Sequence, residues 1–262
     1  MKAADINYQP PSGKPLGTNG YFKFGAAVLI PILSLITKRD WRGMENIPKS
    51  GPVIVVGNHI SYADALVFSH FLYKNGRAPR YLGKAAVFRI PIIGRIIAGS
   101  GQIPVERESD SARLALQNAI AVVQAGHCLG VYPEGTLTRD ENFWPMRAKT
   151  GIARLAIITQ VPVVPCAQFG AQNVWPRYGK LPRFWRRTKV SIWAGEPLEF
   201  SKWMGKEEDP GALAEATEYV MSALTRLLEQ IRGESAPAEI FDPHNSDLPR
   251  TGNYKKVKRA KK

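Results

Sequence analysis

The chain alternates short apolar runs with amphipathic stretches. Val53-Ile54-Val55-Val56 is a β-branched run of strand length that closes on Gly57. Arg80 to Lys84 and Gly101 to Arg107 have the composition of further short strands. From Ser111 to Gln124, Leu114, Ala115, Ala119, Val122 and Val123 recur at helical spacing, with Ser109 or Asp110 as a cap and Gly126 as the stop. Cys128 to Tyr132 reads as a strand, Lys149 to Ile158 as a helix, and Val161 to Ala167 as a strand bounded by prolines. Thr188 to Gly195 reads as a last strand, and Pro210 to Ile231 as a closing surface helix. This alternation predicts an α/β fold with a mostly parallel sheet flanked by helices on both faces.

Both ends depart from the pattern. Residues 1–18 are rich in Pro and Gly and predict a flexible arm. Residues 19–39 form an apolar segment, Phe22 to Ile36, flanked by Lys23 on one side and by Lys38, Arg39 and Arg42 on the other. It falls short of the ~20 residues a bilayer crossing needs, and Pro31 interrupts it. A membrane-associating helix dipping into one leaflet is expected, with a core helix as the alternative. Residues 40–232 then form the main domain, and 233–262 a disordered tail ending in a basic run, able to bind anionic lipid or nucleic acid without specificity.

Two internal stretches stay open. Val87 to Ile97 is apolar but studded with arginines, which suits a greasy surface with a phosphate-contacting rim or a core helix with snorkelling side chains. Between Asn173 and Lys189, Arg177, Lys180, Arg183, Arg186 and Arg187 interleave with Trp175, Tyr178, Phe184 and Trp185. That mixture fits a membrane interface, a groove for a nucleotide-bearing carrier such as coenzyme A, or a solvated loop.

A length of 262 residues suits one domain with appendages. The net charge of +14 calls for an anionic partner: nucleic acid, an anionic membrane surface, or phosphorylated substrates. No nucleic-acid motif accompanies it, so nucleic acid is the weakest of the three. Cys128 and Cys166 lie in strand-like runs without metal-ligand spacing, and are expected to be structural thiols with no disulfide and no metal site. The amino end has no signal-peptide pattern, so a reducing, cytosol-facing location is expected.

The chemistry concentrates where apolar strands end, as it does in open α/β sheets. His59 follows the Val53–Gly57 run directly, and Asp64 comes five positions later. Within one helix such residues point about 140° apart. They converge if His59 stands in the loop, Ser61 caps a helix and Asp64 occupies its first turn. The carboxylate then fixes the imidazole tautomer and leaves the other nitrogen free to take a proton. Ser61-x-x-Asp64 is equally a capping box, in which Asp64 only caps. A second strand end presents Pro133-Glu134-Gly135-Thr136.

Taken in order, Asn58-His59 with Asp64, Gly101 to Arg107, Tyr132 to Thr136 and Val161 to Pro165 resemble the four sequence blocks of the glycerolipid acyltransferases, the lysophosphatidic acid (1-acyl-sn-glycerol-3-phosphate) acyltransferases. The match spans about residues 40 to 200. It implies that His59 is the catalytic base with Asp64 its partner. It also implies that Arg107, with Lys84 in the preceding basic stretch, serves the acceptor phosphate, and that Glu134, Gly135 and Thr136 belong to the acceptor-binding block. Pro165 matches the proline of the fourth block, for which the resemblance implies a structural role. The third block departs from the family pattern: Leu137 and Thr138 stand where an arginine and a serine are usual. Arg139, or Lys149 at the start of the next helix, is the candidate replacement cation.

The implied reaction transfers a fatty-acyl group from an acyl thioester, acyl-CoA or acyl carrier protein, to the sn-2 hydroxyl of lysophosphatidic acid in phospholipid biosynthesis. Another lysophospholipid or glycerol 3-phosphate is the alternative acceptor. No cofactor is needed, and the expected setting is peripheral, on the cytoplasmic side of the cell membrane. An ester or thioester hydrolase using Ser61 or a cysteine is a rival, but no Gly-x-Ser-x-Gly elbow is present. A non-enzymatic basic membrane or nucleic-acid binder is the other.

Overall fold

The computed structural model describes residues 9–105 and 111–246. Its elements are α1 (Gly20–Ile36), β1 (Thr37–Arg42), β2 (Val53–Gly57), α2 (Asp64–Lys74), β3 (Pro79–Lys84), α3 (Ala85–Phe88), α4 (Ile93–Gly99), β4 (Ile103–Val105), α5 (Ser111–Gln124), β5 (Cys128–Val131), α6 (Gly151–Thr159), β6 (Val163–Phe169), α7 (Ala171–Val174), β7 (Thr188–Ala194) and α8 (Pro210–Arg232). The strands form one sheet in the order β1-β7-β6-β2-β5-β3-β4. Only β6 and β7 pair antiparallel, so the sheet is mixed but mostly parallel, with helices on both faces.

β2 is central and wholly buried because all of its side chains are apolar. Its alternation divides them between two cores. Ile54 and Val56 pack toward α5, α6 and α8, while Val53 and Val55 pack toward α1 and α2. The chain leaving β2 therefore emerges at the middle of the sheet's carboxyl edge.

The ends differ from the sequence expectation. The arm read as flexible is tied down from residue 9 onward: Leu16 N–H donates to Gly76 O and Ala78 N–H to Leu16 O, both at 2.9 Å. Backbone pairing beside β3 holds it, and composition does not report such pairing. The apolar segment forms α1, but Thr37, Lys38 and Arg39 belong to β1, an edge strand too polar to be recognised from its pattern. At the other end, residues 234–246, read as disordered, run back from α8 along the loop after β5. Arg147 N–H donates to Phe241 O (2.9 Å), Arg147 Nη1 meets Asp242 Oδ2 (2.8 Å), and Ala236 N–H donates to Glu229 Oε1 (2.8 Å). The basic run beyond lies outside the described residues.

Candidate active site

The loop after β2 places His59 and Asp64 together. Asp64 begins α2, and its Oδ2 lies 2.8 Å from His59 Nδ1. The same oxygen accepts the backbone N–H groups of Ile60 (2.6 Å) and Ser61 (2.7 Å). Three donors converging on one oxygen fix the carboxylate, and the carboxylate fixes the ring. Asp64 is wholly buried; burial pushes its carboxyl pKa up, while the His59 contact and the two amides pull it back. The imidazole keeps 24 % of its side-chain surface exposed. Tyr132 stacks on it with ring centroids 4.4 Å apart.

Ser61 is not the helix cap expected from the sequence. Ala63 holds the capping position, and the Ser61 hydroxyl accepts from Ala63 N–H while donating to Trp175 O (2.5 Å). It pins the loop to the chain following α7. Asn58 ties it to β6 through a reciprocal amide exchange. Gln168 N–H donates to Asn58 Oδ1 (2.8 Å), Asn58 Nδ2 to Gln168 O (3.0 Å), and Gln168 Nε2 to Asn58 O (2.8 Å).

The loop after β5 meets the first loop from below. Glu134 Oε1 accepts His59 N–H (2.8 Å), Glu134 Oε2 accepts Met146 N–H (3.2 Å), and Thr138 N–H donates to His59 O (2.7 Å). Glu134 is only 3 % exposed. Chiefly through burial, its pKa is pushed up to about 8. The sequence reading places Glu134 in the acceptor-binding block; both of its oxygens accept backbone amides, so it braces the histidine loop, and it also lines the cavity beside Thr136 and Lys149.

Arg139, offered as the replacement cation, is also inside. It is 1 % exposed, with its guanidinium 5.7 Å from the centroid of the Tyr178 ring. Leu137 and Thr138 are buried beside it because this stretch passes under the histidine loop. Lys149 is different. It is exposed, and a methyl group placed on Gly135 would come within 3.3 Å of its Nζ, so the ammonium stands over the Gly135 turn. Gly135 has φ +68 and is open to solvent. Thr136 and Lys149 line a cavity of about 510 Å³, together with Arg147 and, from the carboxy-terminal strap, Asp242 and Asn245. Lys84 lies exposed at the end of β3 and is not among the residues lining the cavity. Arg107 lies outside the described residues.

Cys128 and Cys166 are buried and unpaired in disulfides, and burial raises the Cys128 thiol to about 11. Burial also lowers His70 to about 4. Sequence reasoning places Tyr132 in the third block without its stacking on His59, and it misses Gln168, Arg147 and Asp242 as neighbours of the site. Their roles come from contacts across the sheet or from the far end of the chain, and no local spacing signals them.

The family model described as Acyltransferase matches residues 38–168, from β1 to the end of β6 and through both loops. The chain belongs to the acyltransferase family. Among its relatives are the chloroplastic 1-acyl-sn-glycerol-3-phosphate acyltransferase BAT2 of Brassica napus, 31 % identical over 53 % of this chain and 39 % of that protein, and the 1-acyl-sn-glycerol-3-phosphate acyltransferase of Borreliella burgdorferi, 34 % identical over 50 % and 51 %. The Bacillus subtilis protein of the same name is 25 % identical over 80 % of this chain and its own full length. The chain spans about half or less of the first two relatives. The crystal structure of the 1-acyl-sn-glycerophosphate (LPA) acyltransferase PlsC from Thermotoga maritima shares the fold, with a TM-score of 0.60 at 23 % identity over 83 % of this chain and 90 % of that one.

Proposed function

We propose that this acyltransferase moves a fatty-acyl group from an acyl thioester, acyl-CoA foremost, to the sn-2 hydroxyl of lysophosphatidic acid, giving phosphatidic acid. The observation that carries the reading is the His59–Asp64 pair, joined at 2.8 Å with the imidazole still open to solvent. Nδ1–H donates to the fixed carboxylate, so Nε2 carries the lone pair. It removes the acceptor's hydroxyl proton as that oxygen attacks the thioester carbonyl. Collapse of the tetrahedral intermediate breaks the carbon–sulfur bond, and the imidazolium returns the proton to the thiolate. The thioester is already activated, so no covalent enzyme intermediate and no cofactor is required. Acyl carrier protein is the alternative donor, and another lysophospholipid or glycerol 3-phosphate the alternative acceptor.

Lys149 is the cation we assign to the acceptor phosphate, with Thr136 and the open Gly135 turn beside it. Arg107 and Lys84 remain assigned to it by family resemblance alone. The enzyme works at the cytoplasmic side of the membrane as a peripheral protein. Supporting this, Phe24, Val28, Ile32 and Leu35 form one exposed stripe on α1, while Leu33 and Ile36 are buried beneath it. Among the described residues, no helix is long and apolar enough to cross a membrane.

The test is to offer the purified protein a panel of lysophospholipids and glycerol 3-phosphate with acyl-CoA, reading products by mass spectrometry with His59→Ala as control. Phosphatidic acid formation that disappears in the variant supports the reading. A faster product from another acceptor replaces lysophosphatidic acid, and an acyl-enzyme adduct formed without acceptor overturns direct transfer.

A further inference from the structure

The connection from α7 to β7 leaves three large apolar side chains in solvent: Leu181 is 76 % exposed, Phe184 57 % and Trp185 79 %. Lys180, Arg183, Arg186 and Arg187 stand exposed among them, and no acidic residue occurs between Asn173 and Lys189. The segment is nevertheless anchored. Arg183 N–H donates to Val174 O (2.7 Å), Gly179 N–H to Pro176 O (2.8 Å), and the Trp175 indole to Gly179 O (3.1 Å).

Its two ends reach the two parts of the molecule that a lipid substrate must meet. At one end, Trp175 O accepts the Ser61 hydroxyl, and the Tyr62 ring meets the Trp175 ring edge-on with centroids 5.9 Å apart, so the segment abuts the catalytic loop. At the other, Arg187 Nε donates to Thr37 O (3.3 Å), directly after the last turn of α1, where Leu35 is 76 % exposed.

The chemistry separates the candidate occupants. A groove for a nucleotide-bearing carrier is concave and covers its aromatic walls, whereas these side chains stand off the surface. A solvated loop has no use for Leu, Phe and Trp at its tip. Aromatic and aliphatic tips collared by cations match the interface of an anionic bilayer, where rings sit at headgroup depth and arginines meet lipid phosphates.

We propose that residues 180–187 are a second lipid-contacting element, separate from α1, which seats the rim of the catalytic loop on an anionic bilayer by inserting Leu181, Phe184 and Trp185 while Arg183 and Arg186 engage lipid phosphates. The contact requires no turnover, so its failure and failure of the proposed reaction are distinguishable.

The experiment adds the full chain to vesicles of phosphatidylcholine alone or mixed with phosphatidylglycerol and reads the bound fraction by sedimentation. Each cation near such a surface is worth about a fivefold factor in partitioning. The R183Q/R186Q variant should therefore bind the anionic vesicles roughly 25-fold more weakly and lose little on the neutral ones. L181S/F184S/W185S should fall by about tenfold or more. Both should melt with the wild type, since all five side chains are in solvent. The difference in emission between wild type and Trp185→Phe should move to the blue on anionic vesicles, a readout that requires neither multiple variant. Binding by both multiple variants within about twofold of wild type, or an unmoved Trp185 emission, overturns the proposal. A raised KM for the acyl donor with vesicle binding intact also overturns it and makes the segment a carrier groove.

Discussion

In the loop after β2, the reactive ring and the carboxylate that orients it are five residues apart and joined at 2.8 Å. In the loop after β5, the corresponding chemistry is dispersed. Glu134 faces inward to the His59 and Met146 amides, Arg139 is buried against Tyr178, and the exposed ammonium over the Gly135 turn comes from Lys149. The first loop holds its proposed proton-transfer pair within five residues of sequence, while Glu134, Tyr132 and Gln168 brace it from elsewhere in the chain. The second is in part a scaffold, with Glu134 supporting the first loop through the His59 amide, and the cation proposed for the acceptor phosphate stands at the foot of α6. A charged residue in a recognisable motif is thus no guide to its task until its burial is known.

Removing the proposed base tests the first loop hardest. His59→Ala should lower kcat by about 10²–10⁴-fold with an unchanged circular dichroism spectrum. A loss below tenfold would take the base away from His59. Asp64→Asn keeps an oxygen for the three donors but loses the charge that favours the imidazolium, and should lower kcat by roughly 10²-fold. Wild-type turnover would leave Asp64 only an anchor for the Ile60 and Ser61 amides.

The second loop is sharpened by a pair of substitutions. Lys149→Met should raise the acceptor KM by about tenfold or more, the scale of one charge-assisted hydrogen bond, and leave the donor KM alone. Arg139→Met should instead lower the unfolding midpoint without changing the acceptor KM of the folded enzyme. Exchange of these two phenotypes would reverse the assignment of the phosphate cation.

Glu134 is tested last, through stability rather than turnover, and its effect has a defined sign. Its folded-state pKa, about 8, lies above the ordinary value of 4.5. Its contribution to stability is therefore full below about pH 4.5 and is lost as the pH rises to about 8, by up to ~4 kcal/mol. Glu134→Gln cannot titrate, so urea midpoints taken at pH 5, 6, 7 and 8 should fall less steeply than in the wild type. Parallel curves would mean that the buried carboxyl does not set this slope.

Much of this was legible in the sequence because the deciding interactions are short-ranged. The Val53–Val56 run marks the central strand, the period from Ser111 to Gln124 marks α5, and the His59–Asp64 spacing marks the pair. What could not be read depends on burial and on distant partners. β1 is an edge strand with the composition of a charged linker, and Leu16 is held by backbone pairing that leaves no trace in its side chain. Gln168 gives no sign in sequence that it clasps Asn58 across the β2–β6 pair. The burial of Glu134 and Arg139 follows from the chain passing beneath the histidine loop, which no local pattern reports.

The strap after α8 has a practical consequence. Because Asp242 and Asn245 form one wall of the cavity beside Lys149, the segment after α8 shares in shaping an opening whose other side is encoded about a hundred positions earlier. An affinity tag fused near position 240 would stand in that doorway, and a truncation there would widen it. A tag is better kept away from residues 236–246 if the shape of this opening is to stay intact.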